Sequence, residues 1–181
     1  MNESALIDQI YSTVADPNRW AEVMVSIADY LGAVGGLVDY IGPDGRSFIV
    51  LGRLSEERAK VYKEHYVSNA WSLAMRDVPD GRAVIVNDLL DPRALFKSGF
   101  YADVLAPQRI ENAFGTRHNA LSRGGGFGGF NFCLSSRGAE QAGHFLPRLQ
   151  RLTPHLGRAL EATMEMGRIA GGAQNMAAIV R

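Results

Sequence analysis

The chain has 181 residues, 46% of them hydrophobic, which is enough to bury one sizeable core and short for two ordinary domains. Nineteen basic and nineteen acidic side chains cancel to a net charge of zero, so the chain has no global field for drawing in nucleic acid. A lone cysteine, Cys133, excludes an internal disulfide framework and a Cys-rich zinc site. No basic segment leads into an apolar run at the N-terminus, and no apolar stretch approaches membrane-spanning length. The expectation is a soluble, cytoplasmic domain with no membrane partner.

In chain order, Leu6, Ile7, Ile10, Tyr11 and Val14 share one face at helical spacing, predicting an amphipathic first helix. Asp16-Pro17 then starts a second helix as cap and first-turn proline, with Trp20, Val23, Met24, Ile27 and Leu31 as its buried stripe and Gly32 as its stop. Two apolar runs, about 34–42 and 46–52, flank Pro43-Asp44-Gly45 and predict a β-hairpin. Ser55 with Glu56 and Glu57 opens a helix carrying Val61, Tyr62 and Tyr66, and a helical piece around Trp71 to Met75 follows. A short strand is predicted at about 83–86.

Asp91-Pro92 repeats the cap-then-proline signature ahead of an apolar face running from Leu95 to Leu105, with Pro107 ending it and strand four at about 109–117. The stretch RGGGFGGFNF, residues 123–132, contains the GxGxxG spacing of a phosphate-binding loop at Gly124, Gly126 and Gly129. A dinucleotide site needs a strand before those glycines and a helix after them. Here Phe130, Phe132 and Leu134 alternate with Gly129, Asn131 and Cys133, the period of a strand, so the glycines read as a turn and a place of close backbone approach. A long helix from about Ala139 to Arg168 closes the domain with a stripe of Leu146, Leu149, Leu152, Leu156, Leu160 and Met164, and Pro154 inside it predicts a kink. Five short strands with inserted helices and helices at both ends predict an α+β domain of PAS-like or GAF-like architecture around one mostly antiparallel sheet.

Three stretches carry a family resemblance: Asp16-Pro17-Asn18-Arg19-Trp20, then Ser98-Gly99-Phe100-Tyr101 running to Leu105-Ala106-Pro107-Gln108-Arg109-Ile110, and Thr153-Pro154-His155-Leu156-Gly157-Arg158-Ala159-Leu160. Their order and spacing resemble the N-terminal sensory region of LuxR-type helix-turn-helix transcriptional regulators. The resemblance implies a sensor domain over residues 1–168 and a tail or linker over 169–181, leading to a DNA-binding unit absent from this chain. It implies a homodimer that regulates transcription, reaches DNA only through that unit and takes a small-molecule effector. It does not extend to the family's acyl-homoserine-lactone receptors: the spaced Tyr, Trp, Tyr and Asp set is not reproduced from Tyr62 through Tyr66 to Trp71, where Asn69 stands in place of an acid.

The aromatic residues concentrate in the middle of the chain, and core packing is the default for any one of them. The candidate ligand set is Tyr40, Tyr66, Trp71, Phe100, Tyr101, Phe114 and Phe132, lining a pocket between the sheet and the inserted helices, with Tyr hydroxyls and the Trp nitrogen orienting the ligand. Leu6, Ile10, Leu149, Leu152, Leu156 and Leu160 are the candidate dimer interface. His65, His118, His144 and His155 fall in separate elements, and Cys133 lacks the setting that lowers a thiol pKa. No catalytic residue, metal or cofactor is therefore expected. A ligand-free dimerisation module and a small protein holding flavin or haem are the other two readings.

Overall fold

The computed structural model describes residues 2–42, 47–122 and 125–171. The Pro43-Asp44-Gly45 turn, Gly124 and the end of the tail lie outside them. Helix α1 (Glu3–Ala15) starts where the Asn2 side chain accepts the Ala5 N–H. The Asp16 carboxylate accepts the Asn18 N–H, and Pro17 opens a single turn that runs into α2 (Trp20–Tyr30). Gly32 then takes the left-handed conformation, φ +66°, that lets the chain leave the helix.

Strands β1 (Gly35–Ile41) and β2 (Ser47–Gly52) pair antiparallel with Leu37 opposite Leu51. Next come α3 (Glu56–His65), with its first turn capped by Ser55, and α4 (Ala70–Ala74), capped by Asn69. Strand β3 (Ala83–Ile85) and α5 (Pro92–Phe96), capped by Asp91, follow as the sequence predicts. The apolar face beyond α5 is not one continuous helix. After a break, Tyr101–Leu105 form a π-helical turn and Ala106–Gln108 a tighter one, and Arg109 at φ +57° turns the chain into β4 (Asn112–Arg117). The strand therefore begins three residues later than its apolar pattern suggests.

A short helix, α6 (Asn119–Ser122), precedes β5 (Phe127–Leu134), and α7 (Ser136–Glu140) is separate from α8 (Ala142–Gly171). Pro147 lies inside α8 as well as Pro154. The strand order is β2-β1-β5-β4-β3, and every neighbouring pair is antiparallel. This is the expected α+β fold, a PAS/GAF-like sheet with inserted helices on one side and the terminal helices on the other.

The glycines of β5 serve close packing. A Cβ on Gly129 would lie 2.0 Å from the Thr116 carbonyl oxygen, and one on Gly128 would lie 2.4 Å from that of Asp39. Real side chains cannot sit there, so the strand needs glycine to fit between β1 and β4.

Two cores flank the sheet. Trp20, Phe114, Phe130, Phe132 and Leu134 pack with α1, α2 and α8, while Trp71, Val86, Leu95, Phe100, Ile110 and Cys133 form the second core under the inserted helices. The candidate dimer residues belong to the first core: Leu6, Ile10, Leu149, Leu152 and Leu156 have no exposed surface and Leu160 has 4%. This corrects the interface expectation. Those stripes are used up where α1 and α8 pack together and against the sheet, leaving them unable to meet a second chain.

Candidate functional site

Strand geometry sends successive side chains to opposite faces, and the register assigns the faces here. On the side of the inserted helices, Ile49, Asp39, Gly129 and Arg117 form one cross-strand row, and Leu51, Leu37, Asn131 and Gly115 form the next. Between this face and the segments carrying Ser55, Tyr62, Asn69, Trp71, Phe100, Val104 and Gln108 lies a cavity of about 90 Å³. That is below the roughly 300 Å³ of a drug-sized site, and it exceeds the roughly 10–15 Å³ that one water needs. The space fits a ligand of a few heavy atoms.

The cavity exists because this face of β5 is small: Gly129, Asn131 and Cys133 line it, whereas the bulky Phe130, Phe132 and Leu134 point the other way. Of the sequence-derived ligand set, Trp71 and Phe100 line it. Tyr40, Phe114 and Phe132 do not, because they belong to the opposite face, where Tyr40 stacks on Phe48 and Phe132 fills the space above Gly36. Tyr66 and Tyr101 stand in the inserted segment without lining the space. The Tyr66 hydroxyl donates to the Asp103 carboxylate, and Tyr101 makes an edge contact with Phe96. The expected role of the Trp nitrogen is also corrected, since the Trp71 indole N–H donates to Asn87 Oδ1 at 3.0 Å. Only its apolar ring is left for the cavity.

Asn69 is a capping residue. Its side-chain oxygen accepts the N–H groups of Trp71 and Ser72, and its amide nitrogen donates to the Tyr66 carbonyl. That arrangement fixes α4 and with it the Trp71 ring. Gln108 ties the other wall together by accepting the Ser55 N–H and donating to the Val104 carbonyl.

The acid in the cavity is Asp39, which the sequence reading missed. It is 6% exposed, and burial pushes its pKa up to about 6. The Tyr62 hydroxyl and the Asn131 amide nitrogen donate to its carboxylate, each at 3.4 Å, and its own and the Gly129 backbone N–H groups favour the charged form. Tyr62 is raised well above its ordinary value by burial and by Asp39. The Cys133 thiol, on the same wall, is pushed up to about 12, first by burial and then by Asp39, and is thus held as the poorly nucleophilic thiol. Arg117 at the rim donates to the Arg76 and Val78 carbonyls and lies over the Phe127 ring, 5.4 Å from its centre.

Among the described residues no group of three or more His, Cys, Asp and Glu side chains could hold a metal ion, and no helix is long and apolar enough to cross a membrane. No protein-family model matches this sequence, and no curated protein is significantly similar to it.

Proposed function

We propose that this chain is the sensory region of a LuxR-type transcriptional regulator working in the cytoplasm. A small effector enters the cavity between the sheet and the inserted helices and is bound without being chemically changed. One observation carries the reading: an apolar cavity with a few polar groups, Asp39, Tyr62 and Asn131, converging on it in a sensor-type sheet. The high thiol pKa of Cys133 argues against nucleophilic chemistry in the same space.

The sheet is one residue thick, and this supports a route from effector to output. Asn131 and Cys133 touch the cavity, while their neighbours Phe130, Phe132 and Leu134 pack in the core formed with α1 and α8. An effector that holds the cavity open in one arrangement shifts the population of terminal-helix arrangements in proportion to its differential affinity. In this proposal α8 carries the change toward the attached DNA-binding unit, in a homodimer formed through surfaces other than the buried Leu stripe. The small volume of the cavity favours the second reading, a ligand-free dimerisation module with a filled core.

Hydrogen exchange separates the two. A thermal-shift screen of small fragments supplies a ligand, and its saturation is expected to change amide protection in α3 and α4 and also in α8. A screen without a single saturable binder favours the module, and protection confined to α3 and α4 removes the output route.

A further inference from the structure

We propose that the ligand of this cavity carries a cationic nitrogen on a small apolar body, held by the Asp39 carboxylate and faced by the aromatic wall of Tyr62, Trp71 and Phe100. The inference rests on the sensory reading of the cavity and names the chemistry it recognises. A buried carboxylate is costly to the fold without a charged partner or short hydrogen bonds. Among the described residues Asp39 has neither from side chains: Tyr62 and Asn131 are neutral donors at 3.4 Å, longer than the usual range for such bonds, and its remaining donors are its own and the Gly129 backbone N–H groups. Among the described residues, no basic side chain is one of the groups that hold its charge. The cation in the same cross-strand row, Arg117, is directed instead to the Arg76 and Val78 carbonyls and the Phe127 ring.

A carboxylate has about four acceptor positions. Asp39 faces a space lined mostly by apolar and aromatic side chains, in which Asn69 and Gln108 are engaged within the walls and Arg117 is turned to the Arg76 and Val78 carbonyls. Trp71 stands edge to face with Phe100 at 5.6 Å, and Tyr62 lies 6.2 Å from the same ring, so a cation in front of Asp39 meets aromatic π-systems. An ammonium or amidinium supplies charge-assisted N–H bonds that a neutral alcohol cannot match, and an anion is repelled. The volume of about 90 Å³ limits the body to a short aliphatic group.

The test uses three probes that share an isobutyl body, isobutylamine, isobutanol and the somewhat larger isovalerate, titrated at pH 7.5 and constant ionic strength. Amide resonances of Leu37 and Asn131, which line the cavity, report occupancy. The amine is expected to bind at least about tenfold more tightly than the alcohol, and isovalerate not to bind. In Asp39→Asn, whose folding is checked by its urea midpoint, the amine preference is expected to fall to within about twofold. Equal binding of amine and alcohol to the wild-type chain, or an undiminished amine preference in Asp39→Asn, overturns the cationic ligand and leaves the sensory cavity standing. Failure of amine and alcohol alike to move these resonances up to saturating millimolar concentrations overturns the sensory reading as well.

Discussion

Leu156→Asp abolishes cooperative folding of the domain instead of releasing monomers from a dimer. Leu156 has no exposed surface and lies in the core that α1, α2 and α8 build on the sheet. Emptying such a site costs about 2–5 kcal/mol for Leu→Ala, and an acid placed there adds the cost of an unpaired buried polar group or charge. The sum reaches the roughly 5–15 kcal/mol that holds an ordinary domain together. The expected result is loss of the near-UV circular dichroism signal and of the urea transition, while Leu156→Met shifts stability by less than about 1.5 kcal/mol. A folded, soluble Leu156→Asp chain would place the α8 stripe on a surface and return it to a dimer interface.

Asp39→Asn stabilises the domain at neutral pH. The Asp39 pKa rises from an ordinary value of 3.8 to about 6 in the fold because the carboxyl is buried. A carboxyl whose folded pKa lies above its unfolded value favours the folded state while protonated. Its favourable contribution is therefore fully present below about pH 4 and is lost as pH rises through about 6. The shift corresponds to roughly 3 kcal/mol. The described groups facing Asp39 are Tyr62 from α3, Cys133 and Asn131 from β5, the backbone of Gly129 and, across Gly129 in the same row, Arg117 of β4, which donates to the Arg76 and Val78 carbonyls; neither Tyr62 nor Cys133 titrates in this window.

Glu3 runs the opposite way. Its pKa is lowered to about 2 by the Arg151 and Tyr30 hydrogen bonds, so its contribution is present above its ordinary 4.5 and is lost as pH falls toward 2. Comparing the variant with wild type at each pH cancels Glu3. The gain in unfolding free energy for Asp39→Asn is expected at about 2–3 kcal/mol at pH 7.5, shrinking below about 1 kcal/mol at pH 4. A destabilised variant at pH 7.5 would mean that the folded protein already compensates this charge. A group kept at such a cost fits a binding role, where stability is commonly traded for function.

Helix starts were legible because they rest on local chemistry: Asp16-Pro17, Ser55 and Asp91-Pro92 cap turns as their residue types dictate. The β5 strand was legible from its alternation. Short helices such as α6 and the break between α7 and α8 carry too few apolar residues to set a period. The cavity was misplaced for a physical reason. Phe132 reads as its wall because bulky aromatics suggest a binding surface, yet bulky side chains fill space, and the opening lies where β5 shows Gly129, Asn131 and Cys133. Face assignment depends on which helices cover which side, and that is fixed by pairing across the sheet rather than by β5 itself. Asp39 did leave a signal: it is an acid in the apolar run from Gly35 to Ile41, two residues after Leu37 and so on the same face.

Because the chain has two tryptophans, one in each core, fluorine NMR of 5-fluorotryptophan-labelled protein addresses the ligand cavity most directly. Trp71 lines the cavity, and Trp20 packs against Phe130 on the far side of the sheet. Titration with isobutylamine, and separately with isobutanol, is expected to move the Trp71 resonance, assigned with Trp71→Phe, along a saturable curve, with any smaller shift of Trp20 following the same midpoint. A saturable shift of Trp20 alone, or no shift of either resonance with either probe, would contradict a ligand site between the sheet and the inserted helices.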